Sequence, residues 1–125
     1  QYFVMTPTTL VLLLTAVPLS DAVKVLFIGN SFTYVNDLPH TLVAVAKSKG
    51  KSITVDNSTI GGCTLYYQKD DARTKQLLQQ EWDVIALQDY SLLPTVAAAR
   101  QEYFYPAVSE IAAQKKQAKV LAYNT

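Results

Sequence analysis

A single cysteine in 125 residues leaves no disulfide framework, and one histidine beside it is too little for a zinc cage. Four glycines and five prolines exclude collagen-like and low-complexity classes. Neither sign of charge is in excess. Eleven Lys plus Arg against ten Asp plus Glu leave +1, whereas a nucleic-acid binder shows a basic surplus on one face. Neither Gly-x-Gly-x-x-Gly nor Gly-Lys-Ser/Thr occurs, so a receiver or nucleotide-binding domain lacks the residues for its phosphate cradle. No metal and no organic cofactor is expected.

Charge is also missing from the first twenty residues. Leu10 to Leu19, LVLLLTAVPL, is an apolar run of ten. A bilayer span needs about twenty such residues, so no membrane span is expected. The run fits the hydrophobic region of a secretory signal peptide. Met5 is a natural start, and Ser20-Asp21-Ala22 offers small residues at −3 and −1 for cleavage after Ala22. The expectation is a leader within residues 1–22, a secreted protein, and a folded domain over residues 23–125. A buried N-terminal segment is the alternative.

What the chain does have is apolar content: 50% hydrophobic residues against 17% charged, enough for one domain with a core. Val23 to Ile28 is a β-branched apolar run ending at Gly29 and reads as a buried strand. Asn36 and Asp37 can cap a helix in which Leu38, Leu42, Val45 and Ala46 recur at helical spacing, with Gly50 as the stop. Ser52 to Asn57 is a second strand, Gly61-Gly62 a turn, and Thr64 to Gln80 a weaker helix. Trp82 to Leu87 is the third strand. Thr95 to Lys116 is a helix that Pro106 should kink or break near Tyr105. Lys119 to Tyr123 is the fourth strand. Strands alternating with helices predict a flavodoxin-like three-layer α/β/α domain on a parallel sheet, here of about four strands and incomplete.

In such sheets ligands bind beyond the carboxyl ends of the strands. Function is therefore expected in three segments: Gly29-Asn30-Ser31-Phe32-Thr33, Thr59 to Thr64, and Gln88-Asp89-Tyr90-Ser91. The first sets a Ser two residues beyond a Gly at a strand end, the logic of a nucleophile elbow. On residue type alone, Ser31 closes a turn as readily as it attacks a carbonyl.

Val25-Leu-Phe-Ile-Gly-Asn-Ser-Phe-Thr33 resembles the first block of the SGNH, or GDSL-like, hydrolases. Gly62 in Gly-Gly-Cys-Thr matches the second block. Leu87-Gln88-Asp89-Tyr90-Ser91 stands where the third is expected and departs from its usual Gly-x-Asn-Asp. The resemblance covers roughly residues 23–123. It implies a serine esterase that forms an acyl-enzyme on Ser31 and uses the backbone N–H groups of Ser31 and Gly62 for the oxyanion. Gln88 stands in for the family's block-three Asn, or is an amide tying loops together; both readings stay open. The substrate implied is a small-molecule or carbohydrate ester, with Tyr66, Tyr67 and Tyr90 as residues that could stack on a sugar. Cys63 is expected to be a buried structural thiol.

The family's general base is a His in an Asp-x-x-His block near its C-terminus. No matching block occurs here. Asp37 and His40 have that spacing in the wrong place, and the base role is not carried to them. The expectation is that the catalytic Asp and His lie beyond Thr125. The alternative is a non-catalytic or degenerate binding module on the same fold.

Overall fold

The computed structural model describes residues 22–123 and 125. The expected leader lies outside the described residues apart from Ala22. Four strands form one parallel sheet: β1 (Val23–Gly29), β2 (Ile53–Thr59), β3 (Val84–Gln88) and β4 (Lys119–Tyr123). Their order across the sheet is β2-β1-β3-β4. The chain steps to one side of β1 and then to the other, so strand order switches between β1 and β3. Register pairs Gly29 with Thr59, Ile28 with Leu87, and Gln88 with Tyr123, which brings all four carboxyl ends to one rim. The fold is α/β with the flavodoxin-like strand order.

β1 explains the layering. Val25, Leu26, Phe27 and Ile28 are all buried, as a central strand covered on both faces requires. Alternate side chains go opposite ways. Leu26 and Ile28 join Leu65, Leu77, Trp82, Ile85, Leu87, Ala107 and Ile111 in the larger core. Val25 and Phe27 join Ala86 in a smaller one, with Leu38, Val55 and Tyr123 partly buried against it.

Helices α1 (Ser31–Tyr34) and α2 (Leu38–Ser48) follow β1. Within α2 only Pro39 is buried, and Leu42 and Val45 are exposed. The apolar stripe expected to face the core is thus only partly covered, because this face of the sheet carries the smaller cluster. The single helix expected over 64–80 is two: α3 (Leu65–Gln68) and α4 (Ala72–Leu78). Asp71 breaks the run. Its backbone is extended and its carboxylate accepts from the N–H groups of Arg73 at 2.9 Å and Thr74 at 3.1 Å, so it starts a new helix instead of continuing the old one.

Beyond β3 come α5 (Leu92–Thr95), α6 (Ala97–Ala99), a π-helical turn over Arg100–Phe104 and α7 (Tyr105–Gln114). The change of helix type at Tyr105 falls where Pro106 was expected to disturb the helix. Proline has no N–H for the carbonyl four residues back, and the wider turn accommodates that gap. Among the described residues, no helix is long and apolar enough to cross a membrane.

Candidate functional site

The carboxyl rim gathers the three segments singled out in the sequence. Ser31 opens α1 directly beyond β1. Asn30 is the cap: its side-chain Oδ1 accepts from Phe32 N–H at 3.2 Å, which closes the turn that presents Ser31. Ser31 is partly exposed, and its Oγ has no hydrogen-bond partner among the described residues. Its own N–H is at the first helical position, where an amide has no partner within the helix.

The 60–64 loop is tied to this turn at two points. Ile60 N–H donates to Gly29 O at 3.1 Å, and Asn30 Nδ2 donates to Cys63 O at 3.2 Å. Gly62 lies between those ties with φ +66°, a left-handed conformation that a side chain strains by about 1–2 kcal/mol. The structure therefore brings Ser31 and the Gly62 loop to one place.

Gln88, the last residue of β3, is bonded to the turn that carries Ser31. Its amide has two donors and two acceptor positions, and all four are engaged. Oε1 accepts from Asn30 N–H and from Thr33 Oγ1, each at 2.9 Å. Nε2 donates to Asn30 Oδ1 at 2.9 Å and to Asp89 O at 2.6 Å. Gln88 is buried, so these bonds form without competition from water. With both N–H groups engaged, no donor is left for an oxyanion; its bonds are those of a tie between the β1 and β3 loops. The fit is close at Gly29, where a Cβ would stand 2.7 Å from Gln88 Oε1 and nearer still to Thr33 Oγ1.

The network fixes proton positions. Since Gln88 Oε1 can only accept, the Thr33 hydroxyl donates to it. Tyr123 OH, 2.7 Å from Thr33 Oγ1, must then be the donor in that contact. Burial pushes the Tyr123 phenol pKa up, which keeps that proton in place. Thr33 lies within the first of the three segments expected from the sequence, two residues beyond Ser31. Tyr123 was not singled out and reaches the network only because β4 pairs with β3.

Asp89 ties the third segment to the second. Its Oδ1 accepts from Leu65 N–H at 2.9 Å, at the start of α3, and from Tyr90 N–H at 2.7 Å. The residue is buried, and Oδ2 has no partner among the described residues. Burial raises its pKa against the lowering effect of those two N–H bonds. The folded state therefore holds a proton at pH values where the unfolded chain has released it. The stability linked to that proton is full below the ordinary carboxyl pKa of about 3.9 and is lost as pH rises through the raised folded value. Asp89→Asn keeps an oxygen for both N–H groups and cannot ionise. Its urea midpoint relative to the parent should accordingly be higher at pH 7 than at pH 4; an unchanged or reversed difference would contradict the assignment.

Cys63 is half-buried, less enclosed than expected. Its thiol donates to Thr64 O at 3.4 Å, and burial pushes its pKa up. That disfavours the thiolate and leaves Ser31 the better nucleophile candidate in this rim. His40 Nδ1 lies 2.8 Å from Asp37 Oδ1, both side chains being well exposed. Among the described residues, nothing ties that pair to Ser31 by a hydrogen bond. Of the tyrosines, Tyr66 packs against the larger core and stacks edge-on with Tyr67 at 5.3 Å and Tyr103 at 5.2 Å, while Tyr67 and Tyr90 are exposed. Among the described residues, no three His, Cys, Asp or Glu side chains converge as metal ligands.

No model of a known protein family matches the chain. No curated protein matches it in sequence. Solved structures do resemble it. A DUF4886 family protein from Bacteroides uniformis ATCC 8492 is 23% identical, with a TM-score of 0.65 over 82% of this chain and 49% of that one. TesA is 21% identical, with a TM-score of 0.59 over 79% of this chain and 58% of its own. The chain thus spans 49% and 58% of the length of these two neighbours. At such identities the likeness is one of fold.

Proposed function

We propose that this fold belongs to a serine ester hydrolase of SGNH type, with Ser31 as nucleophile. The observation that carries the reading is the held pair of loops: Ser31 on a capped turn at the switch in strand order, with the 60–64 loop tied to Gly29 and Asn30 beside it. Ser31 Oγ attacks the ester carbonyl, and the backbone N–H groups of Ser31 and Gly62 receive the developing oxyanion. Gln88 acts as a positioning residue, holding the Ser31 turn against β3. The general base is assigned to an Asp-x-x-His block following this stretch of sequence, as the resemblance implies. The protein would act outside the cell on a small-molecule or carbohydrate ester.

A p-nitrophenyl alkylphosphonate tests the reading without turnover. Ser31 Oγ attacks phosphorus, its proton passes to the base, and p-nitrophenolate leaves. The adduct is expected on the peptide containing Ser31, and Ser31→Ala should abolish it. An adduct on another residue, or none in a protein that carries the Asp-x-x-His block, would overturn the assignment. The second outcome fits a non-catalytic binding module. That reading draws on the lone imidazole, His40, being exposed and paired with Asp37.

A further inference from the structure

We propose that Asn57 is the acceptor of an N-linked glycan. The inference goes beyond the esterase reading and rests only on the part of it that places the protein outside the cell. Asn57-Ser58-Thr59 is an Asn-x-Ser/Thr triplet with a residue other than proline in the middle, the acceptor pattern for glycosylation on the secretory route. Asn30 and Asn36 are followed two residues on by Phe32 and Leu38, so neither heads such a triplet. Three residues are a short signal, and the fold decides whether a sugar has room there.

Asn57 lies in β2, an outer strand of the sheet, which pairs with β1 alone among the described residues. Side chains alternate across a strand, so Asn57 and Thr59 share one face and Ser58 takes the other. Ser58 is buried. Its hydroxyl lies 2.8 Å from Thr74 Oγ1 in α4, and its carbonyl accepts from Gln68 Nε2 at 2.6 Å. A sugar would have no way out on that side. Asn57 faces the other way, level with Phe27, on the face of the smaller cluster. The cover there is thin: Pro39 alone is buried in α2, and Val45 is 54% exposed. Asn57 and Thr59 are themselves partly exposed.

The bonds of Asn57 leave its side-chain nitrogen unused. Oδ1 accepts from Thr59 Oγ1 at 3.2 Å, and the backbone N–H donates to Asp56 Oδ1 at 2.7 Å. Nδ2 donates to nothing among the described residues. Asparagine is depleted in strands, and here its amide nitrogen has no structural partner to account for it. That nitrogen is the atom the transfer needs. Nδ2 attacks C1 of the first sugar of a lipid-pyrophosphate-linked oligosaccharide. A C–N bond forms and the C1–O bond breaks. The lipid pyrophosphate leaves with the electron pair, and Nδ2 gives up one proton. Transfer takes place on the extended chain, before β2 pairs with β1. The folded domain then has only to leave the glycan room, and a half-covered face on an outer strand does so.

Expression of the full chain in cultured mammalian cells tests this. The tryptic peptide Ser52–Lys69 holds a single asparagine, Asn57. In protein recovered from the medium, that peptide should carry a glycan. Peptide N-glycosidase in heavy-oxygen water should release the glycan and leave an aspartate bearing one heavy oxygen at that position. Asn57→Gln and Thr59→Ala should each abolish the modification, whereas Thr59→Ser, which keeps the hydroxyl, should retain it. The first readout needs no variant, so a variant that fails to fold does not blunt the test. An unmodified Ser52–Lys69 peptide in secreted protein would overturn the site and leave export standing. An unmodified peptide in protein held inside the cell would overturn both. Loss of the glycan in Thr59→Ser as complete as in Thr59→Ala would also count against recognition of this triplet. The phosphonate adduct is read on the same protein. A glycan without an adduct on Ser31 would support this site and reject the nucleophile, and an adduct without a glycan would do the reverse.

Discussion

Ser31→Ala is expected to lower turnover of p-nitrophenyl acetate by about four to six orders of magnitude while leaving the fold intact. The size follows from removing the group that forms the covalent intermediate. Only binding and the oxyanion amides remain, and those alone give a small residual rate. The fold should survive because Ser31 Oγ has no hydrogen-bond partner among the described residues, so its removal leaves no buried group unpaired. Alanine also suits the first position of a helix. Cys63→Ala serves as the comparison. Burial raises the Cys63 thiol pKa and holds it protonated, so its removal should change turnover by less than about threefold. Equal rates for Ser31→Ala and the parent, in a protein containing the general base, would end the nucleophile assignment. A loss of rate accompanied by a lowered unfolding midpoint would point to a structural Ser31 instead.

Gln88→Leu should be the most destabilising single change in the rim. Leucine fills similar space but strands the N–H of Asn30 and the carbonyl of Asp89, and it takes one bond each from the Thr33 hydroxyl and Asn30 Oδ1, which keep Tyr123 OH and Phe32 N–H. A buried polar group left without its partner costs about 1–3 kcal/mol. Some of the four will relax or admit water, so a total of about 3–5 kcal/mol is expected. That is a large share of the roughly 5–15 kcal/mol that holds a domain together, and the melting temperature should fall by about 15 °C or more. Tyr123→Phe gives the graded control. It removes one bond to Thr33 and leaves only an acceptor lone pair unfilled, so about 1 kcal/mol is expected. Thermal unfolding of the two variants checks both values. A Gln88→Leu protein as stable as Tyr123→Phe would mean that the four bonds do not act together. The expected damage reaches Ser31 itself, because Gln88 holds the Asn30 N–H and side chain that shape the turn carrying it.

Much of the architecture could be read from residue order. The apolar run from Val23 to Ile28, the β-branched Ile53 and Val55, and the Val84-Ile85-Ala86-Leu87 stretch are strands in the structure. A strand covered on both faces needs nearly every residue apolar, and that is a local signal. The α2 helix was equally legible from Leu38 and its spacing, although the exposure of Leu42 and Val45 was not. Periodicity reports which side chains share a face, not how much sheet lies beneath it. The 64–80 segment misled because Asp70-Asp71 does not interrupt a weak apolar period, yet Asp71 satisfies two N–H groups by starting a second helix. The one-turn α1 is too short for any periodicity to register, and its cap, Asn30, emerges only from the structure.

By itself, then, the sequence determined the alternation of strands and helices, and through it a parallel sheet whose carboxyl rim carries Ser31, Gly62 and Gln88. The hydrogen-bond partners of Gln88 were decided only by the tertiary structure. An amide can stabilise an oxyanion or tie two loops together, and residue type is the same in both cases. What separates them is whether its two N–H groups are already spoken for, and both are, by an Asn30 side chain 58 residues away and by the Asp89 carbonyl. Hydrogen bonds between strands far apart in sequence form only when the sheet assembles, so no local pattern could have encoded that choice.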